Sequence, residues 1–567
     1  MKNLFLLIVL PIILTGSSSS VIISKESLQT KAPSSIPLCY GFSIDMADTS
    51  RPALYNGLGM HHLKVSTKND FAAKYFNQGI ILYFGFNHPE AYRSFKEAAR
   101  LDPEMAMAYW GQALSMGPNI NMPMDPTKTE EVYQLVQKAL SLKGKSTETE
   151  QAYIDAIAKR YSKDPKADRV QLDKDYAAAM KLVKEKYPSD LDALTLYAES
   201  LMDIHPWDFW TAEGKPKPWT NEIVETLETV LKKDPSHVGA NHFYIHAVEA
   251  SDKPGRGLAS ADRLQTLVPG AGHLVHMPSH IYVQTGQYDK GSSVNREAIS
   301  VDTKSLKDGM KSVAYPEHNI HFLYTTLALE GKSKEALANA RLLQKSIPPE
   351  FLDDPLFSGY AQHLYSTYYF AMVRFGLWDD ILKEKAPAEK YKYLQGLYHY
   401  AKGMAYVKTN KPDSVLKEHS ELLGLIAAKE MQELAIWQTN TASKLLQIAA
   451  DVLEGEFYAA KKDYSKALLP LQKAIKQEDA LVYNEPFDWP NPVRNNYGAI
   501  LLENNRFTEA ESVYNKALKK YPDNGWSLFG LYQTLKAENK TSEAEIIKKR
   551  YDKAFANSDL KLTSSRF

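Results

Sequence analysis

The sequence predicts an all-α protein, an α-solenoid built from irregular helix–turn–helix repeats. Three observations carry that expectation. Gly79, Ala91, Phe95, Ala98 and Pro103 form a marker set with spacings of 12, 4, 3 and 5 residues, and Gly498, Ala510, Tyr514, Ala517 and Pro522 repeat it unchanged. Gly455, Ala467, Leu471 and Ala474 repeat its first four members. No stretch shows a convincing apolar–polar alternation of the kind a half-buried strand needs. The chain has 567 residues, 44% of them hydrophobic, which is too long for one compact globule unless the architecture repeats.

In order, the chain opens with MKNLFLLIVLPIILTGSSSS. One positive residue, an apolar run from Leu4 to Leu14 and small residues from Gly16 make a secretory signal peptide, assigned to residues 1–19. The run is too short to span a bilayer comfortably, with an uncleaved anchor as the alternative. The protein is therefore expected to be exported, to the periplasm or the extracellular space, with no stable membrane insertion. Cys39 is the single cysteine, so no intramolecular disulfide can form. Residues 20–66 are Ser-rich and then mixed, and read as a linker and lead-in segment. Thr67 followed by Asp70 resembles a helix N-cap with a capping box.

Helical repeats follow, over 67–235, 236–345 and 346–557, with a short tail at 558–567. The marker spacing resembles that of the tetratricopeptide repeat (TPR), a 34-residue pair of helices. Small residues stand where two helices cross closely, and the Pro ends the second helix. Weaker copies lie around Tyr282–Ala298, Gly331–Ala336 and Trp526–Ala544. The segments NHFYIHAVEAS, PGAGHLVHMPSHIY and EPFDWPNPVR also resemble those of a family of exported bacterial TPR proteins. That resemblance implies a fold and export, and no activity.

The central repeats hold the chemistry. Of 15 histidines, seven fall in three clusters: His242 and His246; His273, His276 and His280; His318 and His321. Each cluster has i, i+3 or i, i+4 spacing, which puts its members on one helix face. On the TPR register, set by Pro269, Tyr282, Gly286 and Gly331, His242, His276 and His321 share repeat position 5. His246 and His280 share position 9, His273 and His318 position 2, and Glu249 takes position 12. In TPR proteins these positions face the concave groove, so the resemblance implies three adjacent helices aiming seven imidazoles and one carboxylate into one strip. Neutral imidazoles suit zinc, copper or iron. A His₃ or His₂Glu set with an open position would suit a catalytic ion, with Glu249 as ligand or base. The HExxH form is absent. The alternatives are a groove that binds a peptide, protein or small molecule without metal, and histidines satisfied in the core.

Other stretches could reach the groove. IHPWDFW carries His205 and Asp208, Glu317 stands beside His318, and YNEPFDWPNPVRNNYG carries Glu485 and Arg494. MGPNINMPMDP, from Met116 to Pro126, reads as a packed loop, and His61 and His62 as a cap on the first repeat. Lys+Arg and Asp+Glu are both 68, so the net charge of zero lends no support to nucleic-acid binding. No nucleophile elbow, phosphate-binding loop, dinucleotide fingerprint or CxxC is present. Two readings of different class remain: a metal-binding protein or metal-dependent enzyme, and a non-catalytic scaffold. Cleavage is expected between about Thr15 and Ser20. N-terminal sequencing of the protein from its native host would contradict export by recovering an intact Met1.

Overall fold

A computed structural model describes residues 44–567 except Met46 and Gln438. The signal peptide, Cys39 and most of the expected linker lie outside the described residues. From Asp70–Phe84 to Thr541–Ala554 the chain is a succession of helices joined by short turns. Among the described residues the strands amount to one antiparallel pair, Ala435–Ile436 with Asn440–Thr441. The all-α solenoid expected from the sequence is the fold observed.

The marker residues explain the repeat. A Cβ on Gly79 would lie 2.7 Å from the Phe95 ring, and a Cβ on Gly111 would also strike that ring. Phe95 is thus a wedge that only glycine on both flanking helices admits. Tyr514 is the same wedge between Gly498 and Gly530, and Leu471 presses on Gly455. Ala91, Ala98, Ala510 and Ala517 are fully buried where the paired helices cross. The first helix is capped by Asn69, whose side chain accepts from the amides of Phe71 and Ala72. The expected cap, Thr67, instead donates its hydroxyl to Asp102 at 2.5 Å. Asn caps at least as well as Thr, and it stands one residue before the first turn.

Residues 51–66 lie extended against the first helices. Tyr55 donates its hydroxyl to Glu90 at 2.8 Å, and Leu58 and Leu63 are buried. Two further crossings matter for the site. The loop after Tyr288–Lys307 reaches the second helix, where the amides of Lys311 and Ser312 meet Glu90. The C-terminal repeats return to the centre, where Tyr288 donates to the carbonyl of Pro522 and Trp526 to that of Ala328. Chain segments from both ends therefore pack onto the central helices, and their inner face is covered.

His88 shows what that packing does to a histidine. It is buried, its ring stacks on Tyr83 at 4.8 Å, and burial with nearby Arg160 pushes its pKa down to about 3. The unfolded chain then binds a proton that the folded chain refuses between pH 6.5 and 3, so His88 contributes stability that is complete above about pH 6.5 and lost as pH falls through that window. His88→Gln is expected to reduce the slope of unfolding free energy against pH there by about 1.4 kcal/mol per unit. Urea unfolding at a series of pH values measures it.

Candidate metal centre

Three buried helices, separated in the chain by the helices Leu258–Leu267 and Tyr288–Lys307, build the site. The first, Val238–Val248, is buried on every side, so it needs no polar face. His237 caps it: its Nδ1 accepts the amide of Ala240 at 3.1 Å. The second runs Gly272–His276 and continues as Pro278–Gln284. Met277 at the junction keeps right-handed helical angles, because a Pro at the start of a turn lacks only an amide that needs no partner there. A side chain at Gly272 would collide with Asp302. The third, Pro316–Leu329, also starts on a Pro and is buried throughout.

Hydrogen bonds fix the imidazole tautomers. His242 donates from Nδ1 to the Phe84 carbonyl at 2.5 Å, so its Nε2 is a lone pair. That Nε2 lies 3.2 Å from Nε2 of His273. His276 donates from Nδ1 to Oδ1 of Asn295 at 2.6 Å, whose amide nitrogen is held by the Gly291 carbonyl. The His276 Nε2 lone pair lies 2.8 Å from Nε2 of His280. Glu249 joins the helices. Its Oε1 accepts from Nδ1 of His246 and its Oε2 from Nδ1 of His280, both at 2.8 Å. Oε2 also accepts the Tyr483 hydroxyl at 2.6 Å. Glu485, from the same loop as Tyr483, meets Nδ1 of His280 and comes within 4.0 Å of His318.

The electrostatics follow from burial. Burial, then neighbouring imidazoles, hold His242, His273, His276 and His318 well below the usual histidine pKa, so they are neutral. Burial also pushes His280 down, but Glu485 and Glu249 outweigh it and raise it to about 10. Burial raises Glu249, and the His280 imidazolium and the hydrogen bonds around it hold it well below the carboxylate range. Burial and the Glu249 charge keep Glu485 well above that range. Two carboxylates and a crowd of imidazoles are thus balanced by protons in a site with almost no water contact.

Four sets of side chains among the described residues have donor atoms within 4.8 Å of one another: His242, His246 and His273; His276, His280 and His318; His246, Glu249, His280 and Glu485; and His61, Asp192 and His237. A small cavity of about 20 Å³ is lined by His246, His273, His318 and Glu485 with Asn121, Asn484 and aromatic rings. A larger one of about 530 Å³, lined by Trp207, Asp208, Gln284 and Tyr483, also reaches His246.

Six of the seven expected histidines gather here. His321 does not join any of these sets among the described residues; its ring meets His363, 5.9 Å away, because its helix also packs on the helix Ser358–Arg374. Glu485 does reach the cluster. Glu317 joins none of these sets; it is buried with one oxygen unpaired, and burial raises it to about 7. Three expected groove residues are engaged elsewhere. His205 stacks on Trp219 at 3.6 Å, Asp208 pairs with Lys217 at the edge of the larger cavity, and Arg494 holds Asp479. The strip itself is a packed interior rather than an open groove. Phe86, Phe322 and Trp207 wall it; Phe322 lies one helical turn after His318, but no helical period marks Phe86 or Trp207 as neighbours of the histidines. His61, expected as a cap, pairs with Asp192 at 2.9 Å, and Asp192 with His237 at 3.3 Å.

A family model described as tetratricopeptide repeat matches residues 492–524. No curated protein sequence matches the chain. Among solved structures, human IFIT1 as a dimer with m7Gppp-AAAA is 13% identical, with a TM-score of 0.30 over 87% of this chain and 92% of that one. Yeast Tom70 is 14% identical, with a TM-score of 0.25 over 86% and 93%. The match to a tetratricopeptide repeat covers residues 492–524 alone.

Tyr483→Phe removes one bond to an ionised, buried carboxylate and leaves the ring. It is expected to lower stability by about 1–2 kcal/mol, measured by chemical denaturation.

Proposed function

We propose that this solenoid is a transition-metal protein whose buried central helices hold zinc, copper or iron through histidine Nε2 atoms. One observation carries the reading. His242, His246, His276 and His280 each spend Nδ1 on a fixed acceptor, the Phe84 carbonyl, Asn295 or Glu249, which leaves Nε2 as the inward atom. That is how metal-binding histidines are oriented by their surroundings. The spacing agrees: bonds of about 2.0–2.1 Å in a tetrahedral site put nitrogens about 3.3 Å apart, near the 3.2 Å between His242 and His273. An ion bound there supplies Lewis acidity, and the larger cavity beside His246 gives small molecules a way in. We place the protein outside the cytoplasm, on the strength of Lys2 and the Leu4–Leu14 run.

The repeat match favours a second reading, a scaffold for a peptide or protein partner. Such a partner would have to dock away from the histidines, since they are buried.

Elemental analysis of the purified protein, with thermal melts before and after adding divalent metals, tests the metal reading. Metal in hundredfold excess over Kd should stabilise the native state by about 2.7 kcal/mol and raise Tm. His246→Gln with His280→Gln should lose most of that increment while circular dichroism stays helical; His419→Gln should keep it. A protein that carries no metal as purified and shows no shift with zinc, copper, nickel or iron would leave the scaffold reading.

A further inference from the structure

Resting on that metal reading, we infer that the centre holds two ions, one in the trio His242–His246–His273 and one in the trio His276–His280–His318. Six inward imidazoles are more than one four-coordinate ion can take. They divide by geometry. Within each trio the donor atoms lie within 4.8 Å of one another. Each trio also contains one close Nε2 pair, at 3.2 Å in the first and 2.8 Å in the second, where a shared ion would replace a shared proton.

Each trio has its own wall. The Phe86 ring lies 4.5 Å from His242, 5.9 Å from His246 and 5.8 Å from His273. The Phe322 ring lies 4.8 Å from His276, 4.6 Å from His280 and 4.9 Å from His318. The trios touch where His246 meets His280, 5.3 Å between ring centres, and where His273 meets His276, at 5.9 Å. The two ions are therefore neighbours.

Glu249 sits behind both sites and in neither. One oxygen holds His246, the other holds His280, and each bond is to Nδ1. The carboxylate orients one ligand of each ion and supplies negative charge between two cations. In the first trio the inward Nε2 of His246 has no hydrogen-bond partner although the residue is buried. A buried lone pair without a partner is costly unless something binds it. Donor sets made of imidazole alone suit copper or zinc better than iron, whose open sites use a carboxylate ligand.

The competing arrangement is one ion held by His246, Glu249, His280 and Glu485. The full-length protein, stripped and reloaded with Zn²⁺ or Cu²⁺ and desalted, separates the two. Two equivalents per chain are expected. His273→Gln and His318→Gln should each leave one, and Glu249→Gln should keep two with affinity reduced about 10–100-fold. Electron paramagnetic resonance of the Cu²⁺ form should show an interacting pair in the wild type and an isolated ion in His273→Gln. One equivalent in the wild type, unaffected by His273→Gln and abolished by Glu249→Gln, would overturn the pair and leave a single-ion centre. No equivalents at all would overturn the metal reading beneath it. The wild-type stoichiometry and spectrum decide between these even if a variant fails to fold.

Discussion

The interaction on which this structure depends is the double hydrogen bond of one buried carboxylate. Glu249 ends the first histidine helix and holds an imidazole of its own helix and one of the next. An ionised carboxylate with 1% exposure is tolerated only when its lone pairs are occupied. Two imidazoles and the Tyr483 hydroxyl occupy them. Through that single group the register between two repeats, and the position of a loop more than two hundred residues later, are set together.

The aromatic lid is the second half of the same requirement. Histidines left facing a wet groove would exchange protons with solvent and hold no fixed tautomer. Phe86, Phe322, Trp207 and Tyr315 remove the water, and Phe84 and Asn295 supply the acceptors that burial demands. The helices need no polar face because protein acceptors, rather than water, take the Nδ1 hydrogens of His242, His246, His276 and His280.

Much of this was legible in the chain. The Gly–Ala–Phe and Gly–Ala–Tyr spacings report wedges between helices, and a wedge is local, so its signature survives in sequence. The histidine spacing likewise reports a shared helix face. What periodicity cannot report is which distant segment lies on that face. Phe86 and Tyr483 carry no mark of their destination, and His321, in register with His242 and His276, turns out to face His363. Glu485 was open to notice only because its loop is rich in aromatics. His205, Asp208 and Arg494 sit in equally suggestive stretches, and ordinary stacking and ion pairs absorb them.

The loop that brings Tyr483 and Glu485 to the centre has a consequence for how the molecule comes apart. Stacked repeats that touch only their neighbours can fray from either end, one unit at a time. Here the C-terminal segments are bolted to the middle by Tyr483 on Glu249, by Tyr288 on Pro522 and by Trp526 on Ala328. Peeling the last repeats away uncovers the innermost charges, so the open-ended array behaves as a closed circuit. A protease that nicks the chain just ahead of Tyr483 would strike at the chemistry of helices built from residues 238–329.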